Sequence, residues 1–253
     1  MESKSGDKLL KIMEYVILQE EPLRLLDVAK GMEMNSATAL RYLTTLVNSG
    51  YIEQNPETLK YRPTYKIKGL ATHINRDGEL NMIARPYLEN IAERVGESVC
   101  ISVEANGKAV YIDVIHSTKN TLIAFQRAGT YSPLHCTGNG KLLLLNYTEE
   151  EIDHYIETTG LRKYTEHTIT NKKVLMKELD LVRKRGYAYD EQEREDGIRC
   201  IAFPIRNAEG KVIAGVSVSG PIERMSDEIL NPNISYLREQ VMQISEKMGY
   251  HVI

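Results

Sequence analysis

Apolar positions in residues 23–53, LRLLDVAKGMEMNSATALRYLTTLVNSGYIE, recur at helical spacing in two short blocks separated by a tight turn. The first block predicts a helix over residues 23–31, with Leu26, Val28, Ala29 and Met32 facing a core and Gly31 as the stop. The second predicts a helix that starts at Asn35 or Ser36, either of which can cap exposed amides, and ends at Gly50. Leu40, Leu43, Leu46 and Val47 form its apolar stripe, which leaves Ser36, Thr38, Arg41, Tyr42 and Thr45 on or beside the opposite face. After Gly50, the stretch YIEQNPETLKYRPTYKI has two short runs rich in Tyr, Ile and Thr around the turn signal Asn55-Pro56-Glu57-Thr58, and predicts a β hairpin.

The pattern changes near residue 70. A helical stretch, GLATHINRDGELNMIARPYLENIAERVGES, is interrupted around Asp77-Gly78 and Pro86, and reads as a connecting helix followed by the first helix of a second domain. From Val99 the period becomes two: VCISVEA, the turn Asn106-Gly107 and AVYIDVIH predict a hairpin, and TLIAFQR a third strand ending at the Gly129 turn. Helical stretches follow near residues 139–157 and 171–185, then strands over 187–190, 199–206 and 211–219, and a final helix over 234–248. This order describes an α+β domain with a mainly antiparallel sheet and helices packed on it.

Two helices, the second of them a reading helix, and a hairpin in that order form a winged helix-turn-helix, a DNA-binding signature. Hydroxyls and a tyrosine can bond phosphate oxygens, and Arg41 can grip a phosphate or read a guanine edge. Without the hairpin, the helix pair reads equally well as an amphipathic hairpin whose polar face meets water. Lys60 and Arg62 lie on the wing; residues 41–70 carry five basic and two acidic side chains in a chain of net charge −3, a local reversal of sign that suits a phosphate-facing surface.

Composition narrows the class. With 253 residues and 42% hydrophobic content, the chain can bury one moderate core and a small second one. No window approaches the roughly 18 apolar residues of a spanning helix, and the N-terminus lacks an apolar signal region, so no membrane association is expected. Cys100, Cys136 and Cys200 are odd in number and scattered, which argues against a disulfide framework and for a reducing cytoplasm.

At four places the sequence resembles the IclR family of bacterial transcriptional regulators. These are LVNSGYIE at the end of the helix pair, PLHCTGNGKLLL from Pro133, RKRGYAYDEQEREDGIRCIAFPI over residues 183–205, and VSVSGPIERM over residues 216–225. The motifs stand in the family's order and spacing. The resemblance implies a winged helix-turn-helix over residues 1–69, a linker helix over 70–82 and a GAF-like effector-binding domain over 83–253.

It also implies a ligand site. In similar members a small acid is held by the glycine-bearing loop, an aspartate, a cysteine and two serines, whose counterparts here are Gly138, Asn139, Asp190, Cys200, Ser217 and Ser219. Read from the residues alone, the turn Thr137-Gly138-Asn139-Gly140-Lys141 is either a seat for a carboxylate at a helix start, or a glycine loop with Lys141 solvated. Cys200 is otherwise a small buried hydrophobe and Asp190 a turn cap. The chain departs from the pattern in two ways: Asn139 stands where such members often have a small apolar residue, and Thr121 and Ala124, with Ser132 beyond, are smaller or more polar than the leucines and methionine of the glyoxylate-responsive pattern, which favours a sugar acid or other hydroxy acid. The usual KSTVHR of the reading helix becomes SATALR, with Ala37 and Leu40 in place of a serine and a histidine.

No catalytic residue, cofactor or metal is expected. His135 and Cys136 are adjacent and lack the two-to-four-residue spacing of a structural zinc site, and Asp190 to Asp196 reads as a solvated charge run; a mononuclear metal shared by His135, Cys136 and Cys200 is the remaining alternative. The expected protein is a cytoplasmic, ligand-responsive repressor of a catabolic operon. It is a homodimer or tetramer on pseudo-palindromic double-stranded DNA, retuned by a small carboxylate-containing effector. The alternative is an activator of the same family that responds to an aromatic acid.

Overall fold

The computed structural model describes residues 4–71, 78–120, 122–124 and 126–251. The chain divides into two compact units, Met1–Arg76 and Asp77–Ile253.

The first unit begins with α1 (Lys4–Ile17), a helix absent from the predicted elements although Leu9, Ile12, Met13 and Val16 carry its spacing. Ile12 and Val16 are fully packed into the unit's core. Next comes α2 (Leu25–Gly31), two residues later than predicted because Leu23 is held in a bridge to Tyr61 by backbone bonds of 3.0 and 2.7 Å. Asn35 caps α3 (Ser36–Asn48) by accepting from the Thr38 amide at 2.8 Å. The helix stops short of Gly50, whose φ of 73° turns the chain into the wing. The wing strands β1 (Ile52–Gln54) and β2 (Tyr61–Pro63) pair antiparallel, with Glu53 opposite Arg62. Asn55 shapes the tip, its side-chain oxygen accepting from the amides of Glu57 and Thr58, both at 2.9 Å. A short helix, α4 (Lys66–Ala71), follows. Of the expected linker over 70–82, residues 72–77 lie outside the described residues.

In the second unit α5 (Gly78–Val95) runs unbroken through Pro86, where an interruption is predicted. The buried stripe of Leu80, Ala84, Leu88 and Ile91 holds the helix together despite one missing amide. The hairpin β3 (Ser98–Ala105) and β4 (Lys108–Ile115) turns at Asn106 and Gly107, with φ 54° and 72°, as the Asn-Gly signal requires. Among the described residues of 121–127 no strand forms; Thr121 and Phe125 lie outside them. The strand that pairs with β4 is instead β5 (Tyr131–Pro133), beyond the Gly129 turn.

The helical stretch after it is two helices, α6 (Gly138–Leu144) and α7 (Glu149–Thr159). They separate because Asn146 bonds the backbone of Val212 in both directions (2.7 and 3.1 Å) and Thr148 opens α7 with a capping box. Then come α8 (Lys172–Arg185), β6 (Ala188–Glu191), β7 (Ile198–Arg206), β8 (Val212–Pro221) and α9 (Asp227–Lys247). The last helix starts well before the predicted residue 234, since Leu230 is buried and its amide reaches Ser226 O at 2.9 Å, carrying the first turn ahead of Pro232.

The six strands run in the order β5-β4-β3-β8-β7-β6, every neighbour antiparallel. Strand parity then sorts the side chains. Val99, Ile101, Ile201, Phe203, Ile205, Val216 and Val218 pack on one face against α5 and α9. The opposite face meets α6 and carries Cys100, Ser102, Cys200, Ala202, Ser217 and Ser219.

Candidate functional site

The surface of α3 differs from its predicted phase. Ala39, Tyr42, Leu43 and Leu46 are the buried residues, and Leu40 is 44% exposed. Tyr42, predicted on the opposite face, is therefore a correction: it is 7% exposed, lies in the core with Ile12 and Val16, and its hydroxyl is 3.4 Å from Ser5 Oγ on α1. Packing against α1 rotates the seam by about one residue relative to the leucine count, and α1 was missing from that count. Arg41 and Thr45 are exposed as predicted, Ser36 and Thr38 half-buried. Thr45 Oγ1 donates back to Arg41 O at 3.0 Å. On the wing, Lys60 is half-buried and Arg62 is exposed, its Nε 2.5 Å from Glu53 Oε1. Lys66, past the wing, donates to Ser49 O at 2.7 Å and so neutralises the C-terminal end of α3.

In the second unit, the sheet brings all six predicted ligand residues together. Asp190, Cys200 and Ser219 are directly opposite one another on adjacent strands, and the row continues to Ser98 on β3. One step along, Ser217 stands opposite Cys100, with Oγ and Sγ 3.0 Å apart. Gly138 lies against this row so closely that a Cβ there would be 2.9 Å from Ala202 Cβ and 3.4 Å from Cys200 Sγ. Asn139 points down beside it, Nδ2 donating to Ser102 Oγ at 2.8 Å, while its Oδ1 is buried without a partner. Cys100, Ser102 and Ser98 are members that the motifs did not include; the period-two alternation of β3 places them on this face.

Lys141 departs from the reading that left it solvated. It is 1% exposed. Its Nζ donates to Tyr189 O at 2.8 Å and forms an ion pair with Glu193, itself buried. The run from Asp190 to Asp196 is likewise not simply solvated. Asp190 Oδ1 accepts from the amides of Glu193 and Arg194 at 2.7 and 3.3 Å, folding the loop inward. Burial, reinforced by the Glu193 carboxylate, pushes the Asp190 carboxyl up to about 7. Burial also pushes the thiols of Cys100, Cys136 and Cys200 up to about 12, which keeps them protonated at neutral pH.

The helix start at residue 137 is partly filled from within, since Thr137 Oγ1 accepts from the Gly140 amide at 3.2 Å. His135 is buried and bonded at both nitrogens, to Tyr155 Oη at 3.2 Å and Arg162 O at 3.1 Å, and burial lowers its pKa. Among the described residues, no three or more His, Cys, Asp or Glu side chains are arranged to hold a metal ion, and no helix is long and apolar enough to cross a membrane.

An open groove of about 470 Å³ is lined by Tyr111, Gln126, Arg127, Thr130, Tyr131, Ser132, Arg194 and Glu195. Tyr111 Oη bonds Ser132 Oγ at 3.2 Å, and Tyr111 stands directly opposite Ser102 of the polar face on the neighbouring strand. This joins the groove to the polar row. Ser132 and Ala124, both expected at the pocket, are buried, and only Ser132 lines the groove.

Residues 5–56 match the family profile described as "IclR helix-turn-helix domain", and residues 73–246 the one described as "Bacterial transcriptional regulator IclR C-terminal". The HTH-type transcriptional regulator KdgR of Escherichia coli is 33% identical over 253 residues, covering 98% of this chain and 96% of that protein. The transcriptional repressor IclR of the same organism is 28% identical over 221 residues, 87% of this chain and 80% of that protein. The crystal structure of the Thermotoga maritima IclR superposes with a TM-score of 0.83 at 30% identity, covering 97% of this chain and 99% of the other.

Proposed function

The chain belongs to the IclR family of bacterial transcriptional regulators, and from that premise we propose that it is a repressor of a catabolic operon whose grip on DNA is retuned by a small hydroxylated carboxylate such as a sugar acid. One observation carries the effector class. The sheet face under α6 is lined by a carboxylate, hydroxyls, thiols and an amide with a spare acceptor, where a purely structural domain would place aliphatic side chains. Ser217, Ser219 and the Gly138 backbone donate to ligand oxygens. Asp190 and Asn139 Oδ1 accept from ligand hydroxyls, and Cys200 shapes the floor. Arg127 and Arg194 at the groove bring anions to its mouth.

On the DNA side, Ser36, Thr38, Arg41, Thr45, Lys60 and Arg62 contact the duplex. Two copies of the unit read a pseudo-palindromic operator, because one small winged helix supplies too few contacts for a useful specificity ratio. Ligand binding changes the preferred arrangement of the two units about the linker over residues 70–82. The similarity to a transcriptional repressor supports repression over activation, and the protein works in the cytoplasm as a homodimer or tetramer.

The test is a thermal-shift screen of the full chain against sugar acids, hydroxy acids and aromatic acids, since a ligand selective for the folded state raises its apparent stability. A hydroxy acid should stabilise the parent and leave Asp190→Ala and Ser217→Ala unmoved, while both variants still bind DNA. Binding of apolar aromatic acids alone would overturn the effector class and favour the alternative, an activator responding to such acids.

A further inference from the structure

We infer that Leu40 and Ala37 read thymine 5-methyl groups in the major groove and so help to set the operator sequence; this rests on the DNA-binding role proposed for the first unit. The apolar seam of α3 is complete without them, built from Ala39, Tyr42, Leu43 and Leu46. Ala37 and Leu40 lie outside that seam, exposed, and at spacings of three and four residues they share a face with Arg41 and Thr44, which are also exposed. An isolated exposed leucine needs no explanation. Leu40 is not isolated: with Leu26 and Leu59 it lines an open groove of about 570 Å³ between α2, α3 and the wing tip.

The charge beside this apolar surface selects its occupant. Arg24 and Glu57 offset each other on the groove and Arg62 is paired with Glu53, which leaves Arg41, exposed next to Leu40, and Lys60 on the adjoining wing as the excess charge, so the surface suits a polyanion that also presents hydrocarbon. Duplex DNA does so at one place, the thymine methyl in the major groove. Leu40 can neither donate nor accept a hydrogen bond, so any other base edge would lose water against it without compensation. The leucine's position near the start of the helix is where a reading helix meets base edges.

The experiment uses the full-length protein. Preferred duplexes are first selected from a pool with a random core, then titrated with each thymine replaced in turn by deoxyuridine, which lacks only the methyl. Removing a contacted methyl should weaken the parent about fourfold, and roughly fifteenfold when both half-sites are changed. Leu40→Ala should lose the thymine preference at one position of each half-site and keep it at the position that Ala37 contacts, and Leu40→Met, which keeps the hydrocarbon, should retain both. If the parent binds the selected duplex but is indifferent to uracil at every position, the methyl-reading inference fails and the DNA-binding role stands. If no duplex is selected, that role fails and the inference with it. If Leu40→Ala keeps the parent's DNA affinity but sediments as a smaller species, the leucines are an interface between copies and the inference is wrong.

Discussion

Asn139 donates from Nδ2 to Ser102 Oγ at 2.8 Å, while its Oδ1 is so close to Gly215 that a Cβ there would lie 2.6 Å away. The amide is thereby fixed between β3 and β8, with one polar atom satisfied and the other buried without a partner. Ser102→Ala should leave Nδ2 with only Cys100 Sγ at 4.0 Å, and the buried donor should cost about 1–3 kcal/mol in urea unfolding. An unchanged midpoint would show that Asn139 finds another acceptor.

Lys141 and Glu193 should behave as one unit. Lys141→Met leaves a buried carboxylate and the Tyr189 carbonyl without their cation, at a cost of about 3–5 kcal/mol. Adding Glu193→Leu should recover part of that loss, because no uncompensated charge remains. A double variant as unstable as the sum of the two single ones would show that the pair is not coupled.

Asp190 should make stability fall as pH rises. In the folded protein its carboxyl keeps a proton up to about 7, whereas the unfolded chain releases it near 4. The native state thus holds the extra proton between those values. The stabilisation is fully present below the window and lost by its upper end, amounting to at most about 4 kcal/mol. Asp190→Asn keeps an oxygen to accept from the Glu193 amide, so it should reduce the slope between pH 4 and 7 and be more stable than the parent at pH 8. Equal slopes in denaturation series at several pH values would refute this.

Neighbouring residues of α3 should separate folding from DNA binding. Arg41→Ala, at an exposed position, should leave the unfolding temperature nearly unchanged and weaken operator binding by about 1–3 kcal/mol. Tyr42→Ala removes a core ring and should destabilise the first unit by about 3 kcal/mol. Calorimetry alongside gel-shift titration distinguishes them, and a stable Tyr42→Ala that loses only DNA binding would return Tyr42 to the reading face.

What the sequence by itself determined follows from local rules. The Asn106-Gly107 turn, the cap at Asn35 and the strand parity of β3, β7 and β8 depend on residues a few positions apart, so the hairpin, the reading helix and the two-sided sheet were legible. The motifs likewise named Gly138, Asn139, Asp190, Cys200, Ser217 and Ser219; antiparallel pairing put the last four on one face, and the start of α6 brought Gly138 and Asn139 against it. Tertiary structure decided what lies between distant segments. The phase of α3 was set by α1, which buries Tyr42 and frees Leu40, because an amphipathic helix with apolar residues on two sides is resolved only by its neighbour. Lys141 and Glu193 are 52 residues apart, and nothing local distinguishes a lysine that will be solvated from one that a folded loop will enclose. The partner for β4 also changed from 121–127 to Tyr131–Pro133, since edge pairing depends on which segment reaches the sheet and bonds its backbone, not on which one looks most like a strand.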